Sequence, residues 1–296
     1  MRQPATISGP LTEFARALIR TRVRHTMTRG VMQQRLGATV SGRGKQTVVL
    51  TNGIGTSQHT WRHVTAGLES RVRVIRFDNV CSPVAPLGGY REEAYGSLFA
   101  YVDDLVGLLD ELDVRDSLVV GHSIAGIIGL HAAVAAPERI AHVAAICSAA
   151  RFLEDVDFVG GFARDTIEAM LAEAQRDYAG WAASFARVAV GPQATEAQYA
   201  EFLSILGAMR PDIALRTLQI VLLGDNRALL TRVTQPVTVM QTRADMAIPL
   251  SASEYLVQQL PKASLLPIDA QGHVPQLTHP DAVTQAIHQI LDVWAP

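Results

Sequence analysis

The chain has 296 residues, 48% apolar and 18% charged, with a net charge of −2, a composition that excludes a disordered chain and offers no basic footprint for nucleic acid. Its two cysteines, Cys81 and Cys147, are too few for a disulfide framework and lack metal-ligand spacing, so a cytoplasmic location with no metal is expected. No apolar run reaches the roughly 18 to 20 residues that cross a bilayer, and no secretory signal core stands at the N-terminus.

Residues 1–45 hold eight Arg and one Lys against the single acid Glu13, a local charge of +8 that leaves −10 for the remainder. Leu11, Phe14, Ala15, Leu18 and Ile19 fall on one helical face beside Arg16, Arg20, Arg22 and Arg24. We read residues 1–30 as a basic arm, either a surface helix or a start codon placed too early, with Met27 as the true start. A membrane-surface helix or a transit peptide is the alternative.

From residue 47 onward, short β-branched runs alternate with helical patterns. Strands are predicted at 47–50, 72–77, 118–121, 143–147, 237–241 and 265–268, and helices at 101–112, 124–136, 252–260 and 281–293. Such alternation implies an α/β class with a mostly parallel sheet flanked by helices. Residues 151–226 break the pattern, reading as helices at 164–178, 195–209 and 211–223, punctuated by Gly160-Gly161, Gly191-Pro192 and Pro211. We therefore expect core at 31–150, a helical insertion at 151–226 over the carboxyl ends of the strands, and core again at 227–296. Within the insertion, Phe158, Phe162, Trp181, Phe185, Phe202, Ile205 and Met209 are candidates for lining part of a pocket, most of them fitting the cap's own core better.

"VVGHSIAGIIGLHAA", residues 119–133, sets one serine between a buried strand and a small-residue helix. Serine is a favoured helix cap, which explains Ser123 without any chemistry. The turn is nevertheless very tight, and Gly121, His122, Ser123, Ile124 and Ala125 match the nucleophile elbow G-x-S-x-G except for Ala in the last place. A nucleophilic serine needs a base and a group that orients the base. His273 follows the last strand on a Gly-punctuated loop, whereas His279 precedes a helix start and His122 faces elsewhere in an elbow. His25, His131, His142 and His288 read as lying in or beside helices. His59 and His63 are four apart but have no acidic third ligand. Asp245 follows the strand at 237–241, and Asp269 competes with it. The order Ser123, Asp245, His273 is that of α/β-hydrolases and favours Asp245. "LTNGIGTSQHTW", residues 50–61, offers the N–H of Ile54, which with the N–H of Ile124 would form an oxyanion hole. The same turn lacks the pattern of a phosphate or dinucleotide loop, so no cofactor is expected.

"GHSIAGIIGLHAA", "RFLEDVDFVGGF", "FLSILGAMRPDIAL", "VMQTRADMAIPLSASEYLVQQLP" and "GHVPQLTHPDAV" together resemble the bacterial RsbQ stress-signalling hydrolases and the plant strigolactone and karrikin receptors. The resemblance runs from about Val31 to the C-terminus and has no counterpart for the arm. It implies an α/β-hydrolase fold with a four-helix lid and the triad Ser123, Asp245 and His273. It also implies slow hydrolysis of a small butenolide-like ester or lactone, coupled in some members to a signalling protein partner through the lid. Two departures bear on the ligand. Ile54 stands where relatives carry an aromatic residue, which predicts a wider pocket mouth, and Cys81-Ser82-Pro83 replaces a Gly-Ser-Gly type loop. The expected function is thus a serine esterase or lactonase, with a ligand sensor as the alternative and non-ester chemistry on the same fold as a third.

Overall fold

A computed structural model describes residues 30–85 and 89–294; the basic arm, and the helical stripe read within it, lie outside the described residues. Seven strands form one sheet: β1 (Thr39–Ser41), β2 (Thr47–Thr51), β3 (Arg73–Arg76), β4 (Ser117–His122), β5 (Ile140–Ile146), β6 (Val237–Thr242) and β7 (Ala263–Ile268). Their order is β1-β3-β2-β4-β5-β6-β7, with β1 antiparallel to β3 and every other pairing parallel. β1 is the strand that periodicity does not reveal: it is three residues long and mostly exposed, so it carries no apolar alternation.

β2, β4 and β6 are buried along their whole length, as a parallel sheet covered on both faces requires. A short helix, α1 (Val31–Arg35), precedes β1. Alternate residues serve the two faces. Val49, Val119 and Val143 pack under α3 (Phe99–Glu111) and α4 (Ile124–Ala135), while Val48, Leu50, Leu118 and Val120 meet Trp61, Val64 and Leu68 near α2 (Arg62–Leu68) and Val283, Ile287 and Leu291 of the C-terminal helix Pro280–Val293. β2 and β4 lie side by side although β3 comes between them in the chain, so the winding reverses there. The loops after β2 and β4 consequently part at a crevice, the usual ligand position in such sheets.

Four helices fill the break in alternation: α5 (Arg164–Arg176), α6 (Tyr178–Val190), α7 (Glu196–Gly207) and α8 (Pro211–Leu223). The sequence reading at 164–178 runs past the end of α5. Asp177 stops it there by leaving helical geometry and accepting the N–H of Gly180 with its carboxylate, which starts α6. α7 opens with a capping box, Thr195 and Gln198, and α8 opens on Pro211. At the base of the block, Arg151 bridges to Asp225, and Asp155 and Arg227 complete a four-residue ion cluster. Across the molecule, Arg62 of α2 pairs with both carboxylate oxygens of Glu201 on α7 at 2.5 and 2.9 Å.

Candidate active site

Ser123 sits between β4 and α4 with φ +57, a conformation non-glycine residues adopt only when their surroundings impose it. Its N–H donates to Ile146 O at 2.8 Å, and its carbonyl accepts from Ser148 Oγ at 2.6 Å, so the end of β5 and the turn just after it hold both ends of the residue. Gly121 is required by space: a methyl group there would lie 2.4 Å from Ala125 O. Ala125 itself is wholly buried without conflict, which explains how the elbow tolerates alanine in its last place.

Three strand ends meet at the serine. Its Oγ lies 3.1 Å from His273 Nε2, beyond β7, and His273 Nδ1 lies 2.8 Å from Asp245 Oδ2, beyond β6. Asp245 Oδ1 accepts the N–H groups of Ala247 and Ile248 at 2.8 and 3.1 Å. Burial works to raise the Asp245 carboxyl, but the His273 ring and the two backbone donors outweigh it and hold the group below the usual carboxylate range. An ionised Asp245 places the histidine proton on Nδ1, leaving Nε2 to accept from the serine hydroxyl. Asp269, the competing acid, lies far out in solvent, 81% exposed and paired with Arg243.

Cys147, with φ +49, places its thiol in the same cluster: Sγ, a carboxylate oxygen of Asp245 and a ring nitrogen of His273 lie within 4.8 Å of one another. Sequence spacing could not show this group, because its members follow three different strands. Their polar atoms are already engaged, His273 with Asp245 and Cys147 with Thr242 Oγ1 at 3.7 Å. Burial, and then the Asp245 charge, push the Cys147 thiol well up.

The remaining histidines separate by burial and partner. His122, wholly buried, donates from Nε2 to the carbonyl of His273 at 2.6 Å, a contact the sequence did not suggest. Burial, and then the neighbouring His273, lower its pKa to about 3, so it is neutral. His142 stands in β5, against the expectation of a helical neighbourhood, and bonds Thr238 Oγ1. His59 and His63 are exposed.

Ser123 and His273 open onto a cavity of about 60 Å³. Apart from those two, its lining is apolar. Ile54, Phe162, Trp181 and Phe185 line it, as does Phe202. Phe158, Ile205 and the buried Met209, expected there, do not. Phe158 is edge-on to Tyr255 at 4.7 Å and beneath Arg227, packing the base of the helical block. Ile205 stays half-buried on α7, whose inner face is presented by Phe202 and Leu206, one turn apart. Phe152, Met170, Leu218 and Leu222 were missed because they come from separate elements that only the fold brings together.

Among the described residues no helix is long and apolar enough to cross a membrane. A profile of the Alpha/beta hydrolase family matches residues 48–286. The karrikin insensitive 2 receptor CA of Petunia hybrida is 33% identical over 255 residues, covering 86% of this chain and 94% of that one. The strigolactone esterase D14 of Arabidopsis thaliana is 33% identical over 257 residues, covering 86% and 96%. A hydrolase from Oleispira antarctica superposes with a TM-score of 0.87 at 27% identity, covering 90% of this chain and 98% of its own. With the fold, the strand-end cluster and these likenesses in agreement, the chain belongs to the alpha/beta hydrolase family.

Proposed function

We propose that this protein is a serine hydrolase of small, uncharged, apolar carboxylic esters or lactones. The observation that carries the reading is the line Ser123 Oγ, His273 Nε2, Asp245 Oδ2 at the end of a cavity whose other walls are apolar. Ser123 Oγ attacks the carbonyl carbon as His273 Nε2 takes its proton. Asp245 holds the imidazole and stabilises the imidazolium. The N–H groups of Ile124 and Ile54 receive the oxyanion. Ile124 is the first residue of α4, where an N–H has no partner within the helix, and Ile54 lines the cavity beside the serine. His273 then returns the proton to the leaving alcohol, and a water activated by the same ring releases the acid.

The cavity is far below the 300–1,000 Å³ typical of drug-sized ligands, so a short acyl group or a small lactone ring is the fitting occupant. In this reading residues 151–226 are a lid over a core formed by 31–150 and 227–296, and the protein works in the cytoplasm without a metal or cofactor.

A second reading has one specific support, the receptor named among its relatives. There the same chemistry is slow, and a protein partner reads the lid. The experiment that tests the first and separates the second is release from a fluorogenic butenolide ether and from a short-chain aryl ester, by wild type and Ser123→Ala. Rapid multiple turnover abolished in the variant supports the hydrolase. A single slow turnover that leaves a persistent adduct supports the sensor, and full activity in Ser123→Ala refutes both.

A further inference from the structure

His273 is held by its backbone as well as by its ring. Its N–H donates to the carbonyl of Ala189 at 2.7 Å, and its own carbonyl accepts from His122. Ala189 belongs to the last turn of α6, where carbonyls find no N–H donor within the helix. A lid helix thus supplies the partner that fixes the proposed base.

This contact is backbone on backbone. Gly272 has φ +80, and a methyl group there would lie 2.6 Å from Val190 O and 2.8 Å from Ala189 O. Gly191 faces it with φ +81, and a methyl group there would lie 3.1 Å from Gly272 Cα. Any side chain at residue 272 must push α6 and His273 apart.

The same helix lines the cavity. Trp181 and Phe185 stack on each other with ring centroids 5.3 Å apart, and both line it. Ala189 follows Phe185 by four residues, about one turn of a rigid helix, so a shift felt at either ring reaches the carbonyl that holds His273.

We propose that α6 is a positioning element for His273: contact between the apolar part of the substrate and Trp181 and Phe185 settles the helix, and the Ala189 carbonyl, seated against Gly272, sets Nε2 over Ser123. The proposal rests on the hydrolase reading. It makes binding energy from the apolar part of the substrate appear in kcat rather than in KM alone.

The test is steady-state hydrolysis of aryl acetate, propionate and butyrate by wild type and Gly272→Ala. In wild type kcat rises with acyl length. In the variant kcat falls by about 10- to 100-fold for the longest ester and loses its dependence on acyl length, while KM keeps its own dependence. An equal loss for all three esters marks a glycine of structural importance only and overturns the proposal, as does an unchanged kcat. If wild type cleaves none of the esters, the hydrolase reading fails and the coupling fails with it; turnover by wild type with a Gly272→Ala profile parallel to it sinks the coupling alone. Should the variant not fold, hydrogen exchange on wild type decides. Alkylphosphonates of increasing chain length on Ser123 should protect peptides 183–191 and 271–277 together, and protection of the first without the second contradicts the proposal.

Discussion

Asp245 meets His273 with its carboxylate side chain wholly shielded from solvent, and the 2.8 Å bond between them fixes which ring nitrogen carries the proton. Replacing Asp245 by Asn keeps the size and removes the charge, so the ring loses its enforced tautomer. Asp245→Asn should lower kcat by about 10⁴-fold with little change in KM, measured on the aryl ester that wild type cleaves best.

His122 makes acid sensitivity specific. Its folded pKa of about 3, lowered by burial and then by His273, lies below the ordinary 6.5. Between those values the unfolded chain binds a proton that the folded chain refuses, so stability falls as pH falls through that window. Gln can keep the Nε2 hydrogen bond without titrating. In urea melts from pH 4 to 7, His122→Gln should show a shallower loss of stability on acidification than wild type; parallel curves would remove His122 from the account.

The Arg62–Glu201 pair joins α2 to α7, with side chains 30% and 26% exposed. Partial exposure limits its worth, and its two-pronged geometry raises it above most surface pairs. A double-mutant cycle with Arg62→Ala and Glu201→Ala should give a coupling of about 0.5–1 kcal/mol that shrinks in 0.5 M salt.

An apolar cavity discriminates by charge. Extending an aryl ester's acyl chain with a terminal carboxylate should cut kcat/KM by at least about 10²-fold against the uncharged ester of equal length, since the walls away from Ser123 and His273 are apolar and cannot replace the lost hydration. Equal rates for the two substrates would place the acyl group elsewhere.

Both thiols are buried, and burial pushes Cys81 up to about 11. Neither Cys81 nor Cys147 should react with Ellman's reagent in the native protein at pH 8, and both should react in denaturant. A fast native reaction of Cys147 would show that the region around Asp245 opens readily.

The sheet was legible where burial is continuous, as in β2 and β4, and illegible in β1, whose three residues carry no pattern. Ser123, Asp245 and His273 could be picked out together because each comes just after a strand, and parallel strands deliver their C-terminal loops to one edge of the sheet. Contacts that cross elements left no local trace. His122 reaches the carbonyl of a residue 151 positions away, and Ala189 holds His273 from another layer. Phe158 and Phe162 differ by four residues in one irregular segment, so no period could tell which would face the cavity.

The most direct measurement is intact-protein mass spectrometry, with peptide mapping, after a fluorophosphonate is added to wild type and to Ser123→Ala. One adduct on Ser123, rising as ester turnover falls and absent from the variant, is the predicted result. An adduct on another residue, or undiminished turnover once Ser123 is modified, would contradict the assignment of Ser123 as the nucleophile.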